Sequence, residues 1–575
     1  METRSKLAKD PSHPTAQNGE FPKLAIFWVP EAYTLSPTLI MGRQSAGAGF
    51  LRAIAAAKPQ HLFCYARSKE EAEAFKRTVQ ENGGSRTEIS WIPLLRPKGL
   101  RQAGLLYRPD ANIASDAWRR AAQGDDRAYS ICGVTHTTAT HAIMEGITSL
   151  VTAPLHSWDA LVCTSHAVRD SVRTVLEASG EHLKERLAAT RITLPQLPLI
   201  PLGVDCSAYQ FSEDARAQAR QALRIEADEV VVCYVGRLNF HGKAHPVPMY
   251  IALEQAAQAR RVVLLQAGWF PNKAIETAFK KEASVFCPSV RCLFEDGRDP
   301  KIRDQVWAAS DVFTSLVDNF QETFGLSPIE AMAAGLPSVI SDWNGYRDTI
   351  RDAIDGFRVP TLSMPSGSGG DIADRYDWGI DSYDFYTFHT SQLVSVDIDA
   401  AVEAYRKLIS NRELRLKMGR AARQRALAYF DWLVIRDRYV ALWEELNERR
   451  RADPAFQARY LPRRRPDRAD PFTMFATYPT FVVERRTEFQ RRAECSIKDA
   501  LSRRTLESTG KATAVLPSPE LIKEIFAVLP DNDWLNFEDL HKACPGHEVI
   551  ELARAVVWLS KFAILRCRVP AKPTR

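Results

Sequence analysis

The sequence predicts an α/β protein of two doubly wound, Rossmann-like domains facing a cleft, followed by a small, mainly helical extension. Three observations predict it. Short apolar runs alternate with helical stretches from Lys23 onward. The alternation restarts as a second series at Glu229. From Asp397 the pattern turns helical. A chain of 575 residues, 45% hydrophobic and 25% charged, has ample core for two or three domains.

The first series opens with KLAIFWVP (23–30), read as a buried strand. In MGRQSAGAGFLRAIAAA, Gly42, Gly47 and Gly49 precede a helix expected to begin near Phe50. Glycines at a strand-to-helix turn let backbone amides approach an anion, although the spacing matches neither G-x-G-x-x-G nor a P-loop. Strands are expected at His61–Tyr65, Ala128–Thr135 and Ala160–Thr164, with Ser165 capping the next helix; LPLIPLGVDCSAY (197–209) closes the first half. The second series has strands at Glu229–Val235, Arg261–Gln266, Arg291–Phe294, Asp311–Leu316 and Leu336–Ser341.

The expected domains are 22–210 and 222–428, with residues 1–21 a disordered N-terminus. Residues 362–396, with a Gly/Ser tract at 366–370 and a Tyr/Trp/Asp-rich stretch, lack periodicity. They read first as an irregular insertion and second as a loop over the cleft. Residues 453–510 read as a basic linker region, with ARYLPRRRPDR (458–468) at its start. Residues 511–575 read as a small helical, winged-helix-like unit: helices start at Ser518–Pro519, at Asn536 and at Val549, before the strand-like ILRCRV.

Composition narrows the function classes. A net charge of +6 is mildly basic, compatible with anionic ligands or a membrane surface. The ten cysteines form no C-x-x-C pair, and Cys64, Cys132, Cys163 and Cys233 lie in apolar runs, as buried thiols of a reducing compartment would. No apolar run reaches membrane-spanning length; Val549–Leu565 is broken by Glu551, Arg554 and Lys561. The polar N-terminus lacks the apolar core of a signal peptide, so a cytoplasmic protein is expected.

The densest chemistry lies in QETFGLSPIEAMAAGLPSVISDW (321–343). Two carboxylates, Glu322 and Glu330, flank a loop of Phe324, Gly325 and Leu326 and a helix start. Ser327 is read as N-cap, Pro328 as the first helical residue, and Gly335 as the stop before a buried strand. A helix N-terminus attracts phosphate, and carboxylates accept hydrogen bonds from sugar hydroxyls, so this is a place to hold a nucleotide-sugar. The bland alternative is a capping box, with Glu330 folded back on the N-cap amide and Glu322 a solvated loop acid.

This run resembles the E-x7-E segment of retaining GT-B-fold glycosyltransferases of family four (glycosyl transferases group 1). Glu322, Phe324–Gly325, Glu330, EAMAAGLP and the following strand match in order. The resemblance, over roughly residues 22–452, implies that Glu322 lies against the donor sugar and Glu330 binds the ribose. It implies that Gly236, Arg237 and Lys243 of GRLNFHGK bind the donor's phosphates, and that His136, at the end of SICGVTH, contacts the donor sugar. Lys243 stands one place later than in the commonest form. The helix at 429–452 is expected to cross back to the first domain. No role is carried over to Asn344, Gly345 or Asp348, where relatives read G-G-x-P-E. His141 and His166 are read as packed or solvated residues, and Asp397–Asp399 as a helix cap.

The implied reaction transfers a sugar from a nucleoside diphosphate to the hydroxyl of a glycan, lipid-linked or small-molecule acceptor, with retention by front-face attack and no metal or other cofactor. Peripheral contact with an anionic membrane at the cytoplasmic face is compatible with the basic linker, and nucleic acid is the less favoured partner. The competing readings are a GT-B-fold sugar-nucleotide epimerase, and a non-catalytic nucleotide-sugar sensor or nucleic-acid-binding regulator acting through the C-terminal unit.

Overall fold

The computed structural model describes residues 21–34, 42–257, 260–452 and 464–569. The chain divides into two compact units at Arg465/Pro466. Apart from Phe21, the expected disordered N-terminus lies outside the described residues, as do residues 458–463 of the basic linker.

The first unit contains two six-stranded sheets. In the first run β1 (Leu24–Phe27), β2 (His61–Ala66), β3 (Glu88–Pro93), β4 (Leu105–Tyr107), β5 (Ser130–Val134) and β6 (Ala160–Val162). Their order is β3-β2-β1-β4-β5-β6 with every pairing parallel. The second comprises β7 (Val230–Val235), β8 (Val262–Gly268), β9 (Arg291–Asp296), β10 (Val312–Ser315), β11 (Ser338–Ser341) and β12 (Gly356–Val359). Its order, β12-β11-β10-β7-β8-β9, repeats the first, again wholly parallel.

Helices cover both faces of each sheet. Along β1, Leu24 and Ile26 enter one core while Ala25 and Phe27 enter the other. In the second sheet Val231 and Cys233 oppose Val230 and Val232 in the same way. Burial on both faces is why these strands read as continuous apolar runs. The chain order reverses between β1 and β4 and again between β7 and β10, and such switch points open crevices at the carboxyl ends of the strands.

Two chain crossings tie the domains together. Val204 donates its N–H to Phe430 (2.8 Å) and accepts from the N–H of Trp432 (3.1 Å), so residues 204 and 430–432 run side by side. The helix Trp432–Ala452 then packs in the first domain, where Trp443 is fully buried against Phe50, Tyr107 and Tyr439. Below it Arg120 makes two hydrogen bonds, 2.7 and 2.6 Å, to Asp159 in a fully buried pair, whose carboxylate also takes the N–H of Ile131.

Several boundaries differ from expectation. The glycine-rich segment is helix from Gly42 to Ala56. Strands β3, β4 and β12 escape the sequence reading because β4 and β12 are short and β3 is half exposed along its length. Residues 362–396 are ordered structure, not an irregular insertion. A hairpin of β13 (Thr361–Ser363) and β14 (Val394–Val396) closes the base of two helices, Gly370–Asp377 and Tyr383–Ser391. Asp381 pins the turn between them, accepting from Arg375 at 2.8 and 2.9 Å and facing His389 Nδ1 at 3.1 Å.

The second unit is a three-stranded antiparallel sheet in the order β16-β15-β17, where β15 is Glu488–Arg491, β16 Leu535–Asn536 and β17 Leu565–Arg568. The longer helices Pro519–Val528, capped by the Ser518 side chain, and Val549–Lys561 pack on it, and Asn536 caps the short helix Phe537–Ala543. The unit starts well before residue 511. Its central strand, EFQR, sends only Phe489 into the core, which hides it in a polar stretch of sequence.

At the carboxyl end of β10, the carboxyl of Asp318 is buried with the N–H of His245 as a weak donor at 3.3 Å. Burial pushes it up to about 7. A carboxyl raised in the fold binds more protons than in the unfolded chain, so its contribution to stability falls as pH rises from the usual carboxylate range to about 7 and is level above that. Asp318→Asn should therefore gain stability relative to wild type between pH 5 and pH 8, read by urea unfolding at both. Trp443→Ala should cost about 3–5 kcal/mol in the same assay, and Trp443→Phe clearly less.

Candidate functional site

The sequence between β10 and the next helix supplies the centre of the cleft. Asn319, fully buried, shapes the turn: its side chain donates to the carbonyl of His241 (2.7 Å) and accepts the N–H of Gln321 (2.7 Å). The following helix runs Leu326–Ala333, with Gly325 as its N-cap at φ 85°. That left-handed backbone, and a Cβ position 2.2 Å from the Tyr346 ring, restrict the site to glycine. Phe324 is fully buried, and Leu326 packs against the same core.

The expected cap is corrected: Ser327 is inside the helix, and its hydroxyl donates to the carbonyl of Val235 at 2.7 Å. This ties the helix start to the end of β7, next to Gly236 and Arg237. The capping box is therefore absent. The Glu330 carboxyl hydrogen-bonds instead to the phenol of Tyr209, in the connection between the domains. Burial raises this carboxyl, opposed by Tyr209 and by Arg303.

Glu322 is paired. Lys243 Nζ stands 2.7 Å from its Oε2, and the N–H of Thr323 donates to Oε1 at 3.3 Å. Burial pushes the carboxyl up, but Lys243 and the amides of Thr323 and Phe324 outweigh it and hold it below the ordinary range. Glu322 is thus an anion in a poorly solvated place. Arg237 lies beside Gln321, whose side-chain oxygen accepts from its guanidinium at 3.5 Å. It also approaches the face of Trp269, 6.0 Å from the ring centroid. Arg237, Lys243 and Glu322 are consequently brought together around the ends of β7 and β10.

The first domain meets this group at β5. The carbonyl of His136 accepts the hydroxyl of Thr323, and Ser165 donates to the carbonyl of Thr323 at 2.8 Å. His136 Nε2 donates to the carbonyl of Pro109 at 3.1 Å. Burial, with Arg43 nearby, pushes its imidazole down to about 4, so the ring is neutral and Nδ1 is left as an acceptor.

Gly47 is a second correction. It sits inside the helix Gly42–Ala56, where a Cβ would fall 2.0 Å from the carbonyl oxygen of Ala32. Its small size serves helix packing rather than an anion-binding turn. His141 and His166 do make specific contacts: His141 stacks on Tyr376 with centroids 3.7 Å apart, and His166 Nδ1 meets Asp348 at 3.0 Å. Asn344 donates to the carbonyl of Glu322, so the turn 343–346 buttresses the loop. Sequence reasoning missed Thr323, Asn319 and Tyr209. Thr323 and Asn319 lie within a few residues of Glu322, but their partners, the His136 and His241 carbonyls, are backbone groups with no sequence signal. Among the described residues no cluster of His, Cys, Asp and Glu is arranged to hold a metal ion.

Residues 215–364 match the family model described as "Glycosyl transferases group 1". The D-inositol 3-phosphate glycosyltransferase of Nocardia farcinica is 29% identical over 187 residues, 31% of this chain and 40% of that protein. Its counterpart from Saccharomonospora viridis is 30% identical over 177 residues, 28% of this chain and 37% of that protein. The chain thus spans about two fifths of the length of the curated relatives it matches. The structure of Anabaena HepE in complex with UDP covers 74% of this chain and 100% of its own, at 18% identity and a TM-score of 0.47. Residues 215–364, which hold the whole of the second sheet, are thus similar to the glycosyl transferases group 1, and the chain's two doubly wound sheets have the two-domain form of the GT-B architecture.

Proposed function

We propose that the protein is a retaining glycosyltransferase that moves a sugar from a nucleoside diphosphate to an acceptor hydroxyl in the synthesis of a polysaccharide, glycolipid or other glycoconjugate. The observation that carries this reading is the Lys243–Glu322 pair at 2.7 Å, set beside Arg237 and held against His136 of the opposing domain through Thr323. Without a ligand, the cation and the anion neutralise each other. A donor whose diphosphate engages Lys243 and Arg237 would release Glu322 toward the sugar.

In this mechanism Arg237, Lys243 and the backbone amides at the start of the helix Leu326–Ala333 stabilise charge building on the departing diphosphate. They do so without calling on a metal. Ionised Glu322 favours the cationic sugar ring and orients it, while neutral His136 offers Nδ1 to a sugar hydroxyl without adding positive charge to that ring. The leaving phosphate oxygen takes the acceptor's proton as the new bond forms on the same face, and no protein nucleophile is needed. Glu330, partnered by Tyr209, holds the ribose. The relatives' acceptor, an inositol phosphate in their names, supports a polyol or sugar hydroxyl as acceptor class here.

Thermal unfolding with saturating UDP, GDP or ADP tests the donor site. One nucleotide at a hundred times its Kd should stabilise wild type by about 2.7 kcal/mol, and Glu330→Ala should lose most of that gain. No response to any of the three would sink the reading. Glu322→Gln should lower kcat by about a hundredfold with the fold intact. Because His136 stays neutral down to about pH 4, the shape of the pH dependence of nucleotide affinity between pH 8 and 5.5 should be the same in wild type and His136→Gln, as titration calorimetry would reveal.

A further inference from the structure

The ordered insertion contacts both domains beside the site. Its second helix, Tyr383–Ser391, is fixed to the second domain by the carbonyl of Thr387, which accepts from Asn319 at 3.4 Å. Phe388 packs on His241 with centroids 4.7 Å apart, over the same loop that carries Lys243. Its first turn meets the first domain: Tyr383 Oη lies 3.4 Å from Thr137 Oγ1, one residue beyond His136. The preceding helix adds Tyr376, stacked on His141, whose Nε2 faces the Tyr376 carbonyl at 3.1 Å. Tyr383 therefore meets the β5 end, about one helical turn before Thr387 and Phe388, which touch the Asn319 turn and His241.

From this placement we propose that Tyr383 is a further residue of the donor site, giving its phenolic hydroxyl as a neutral hydrogen-bond donor to the diphosphate beside Arg237. The inference rests on the glycosyltransferase reading and adds a group from the insertion. Burial raises the phenol, so the hydroxyl keeps its proton throughout the working pH range. Its bond to Thr137 is long, and a phosphate oxygen is a stronger acceptor than a threonine hydroxyl, so diphosphate would replace Thr137 as partner. The insertion then senses the donor directly, and its aromatic contacts to both domains would tighten around a filled site.

Tyr383→Phe and Thr137→Val separate a ligand contact from a simple clasp between domains. Titration calorimetry with inorganic pyrophosphate should show roughly tenfold weaker binding to Tyr383→Phe and near-wild-type binding to Thr137→Val, with melting temperatures of both close to wild type. With a turnover assay, kcat should fall in Tyr383→Phe and hold in Thr137→Val. Equal losses in the two variants would show that the hydroxyl only clasps the domains. Unchanged affinity in Tyr383→Phe, or no pyrophosphate binding to wild type, would overturn the proposal as well. Pyrophosphate binding that depends on Tyr383 in a protein that transfers no sugar would uphold the anion contact while ending the transferase reading.

Discussion

Everything in the cleft depends on one loop, residues 319–325, being held from both sides at once. Its turn is fixed by the buried Asn319 amide, its far end by the left-handed Gly325 seated on Tyr346. Between these, Thr323 exchanges hydrogen bonds with the first domain through His136 and Ser165. Glu322 is thereby presented at the junction of two sheets, each of which ends its strands toward the same crevice. A carboxylate in so poorly solvated a place needs a partner, and Lys243 supplies it.

That arrangement explains the division of labour between the two acids of the motif. Glu322 stays ionised because a lysine and two backbone amides offset its desolvation. Glu330 lies deeper in the helix, is raised by burial and answers to Tyr209 in the interdomain connection. One acid is tuned toward charge and the other toward hydrogen bonding. The insertion adds aromatic and hydroxyl groups that touch the first domain at Thr137 and the second at Asn319 and His241.

Much of this was legible in the sequence. The continuous apolar runs of β7 and β8 announced a sheet covered on both faces, and the order of residues from Phe324 to Ile340 announced a loop, a helix and a buried strand. What escaped notice has physical causes. Short β4 and β12 carry too few residues to show a period, and β15 hides a single core residue, Phe489, among polar neighbours. Ser327 has the composition of a cap, yet the tertiary bond to Val235 draws it into the helix. Gly47 resembles a phosphate-loop glycine, but only the position of Ala32 reveals that packing demands it. The aromatic residues of 376–389 have no helical period, because their partners, His141 and His241, come from both domains.

The most direct test of the account is proton NMR of the products formed from an α-linked nucleoside-diphosphate sugar and a panel of polyol and sugar acceptors. The account predicts release of nucleoside diphosphate together with a new glycosidic bond whose anomeric proton shows retained α configuration. A β-linked product would contradict the front-face mechanism. Absence of any sugar transfer or nucleoside diphosphate release, with a nucleotide demonstrably bound, would contradict catalysis itself.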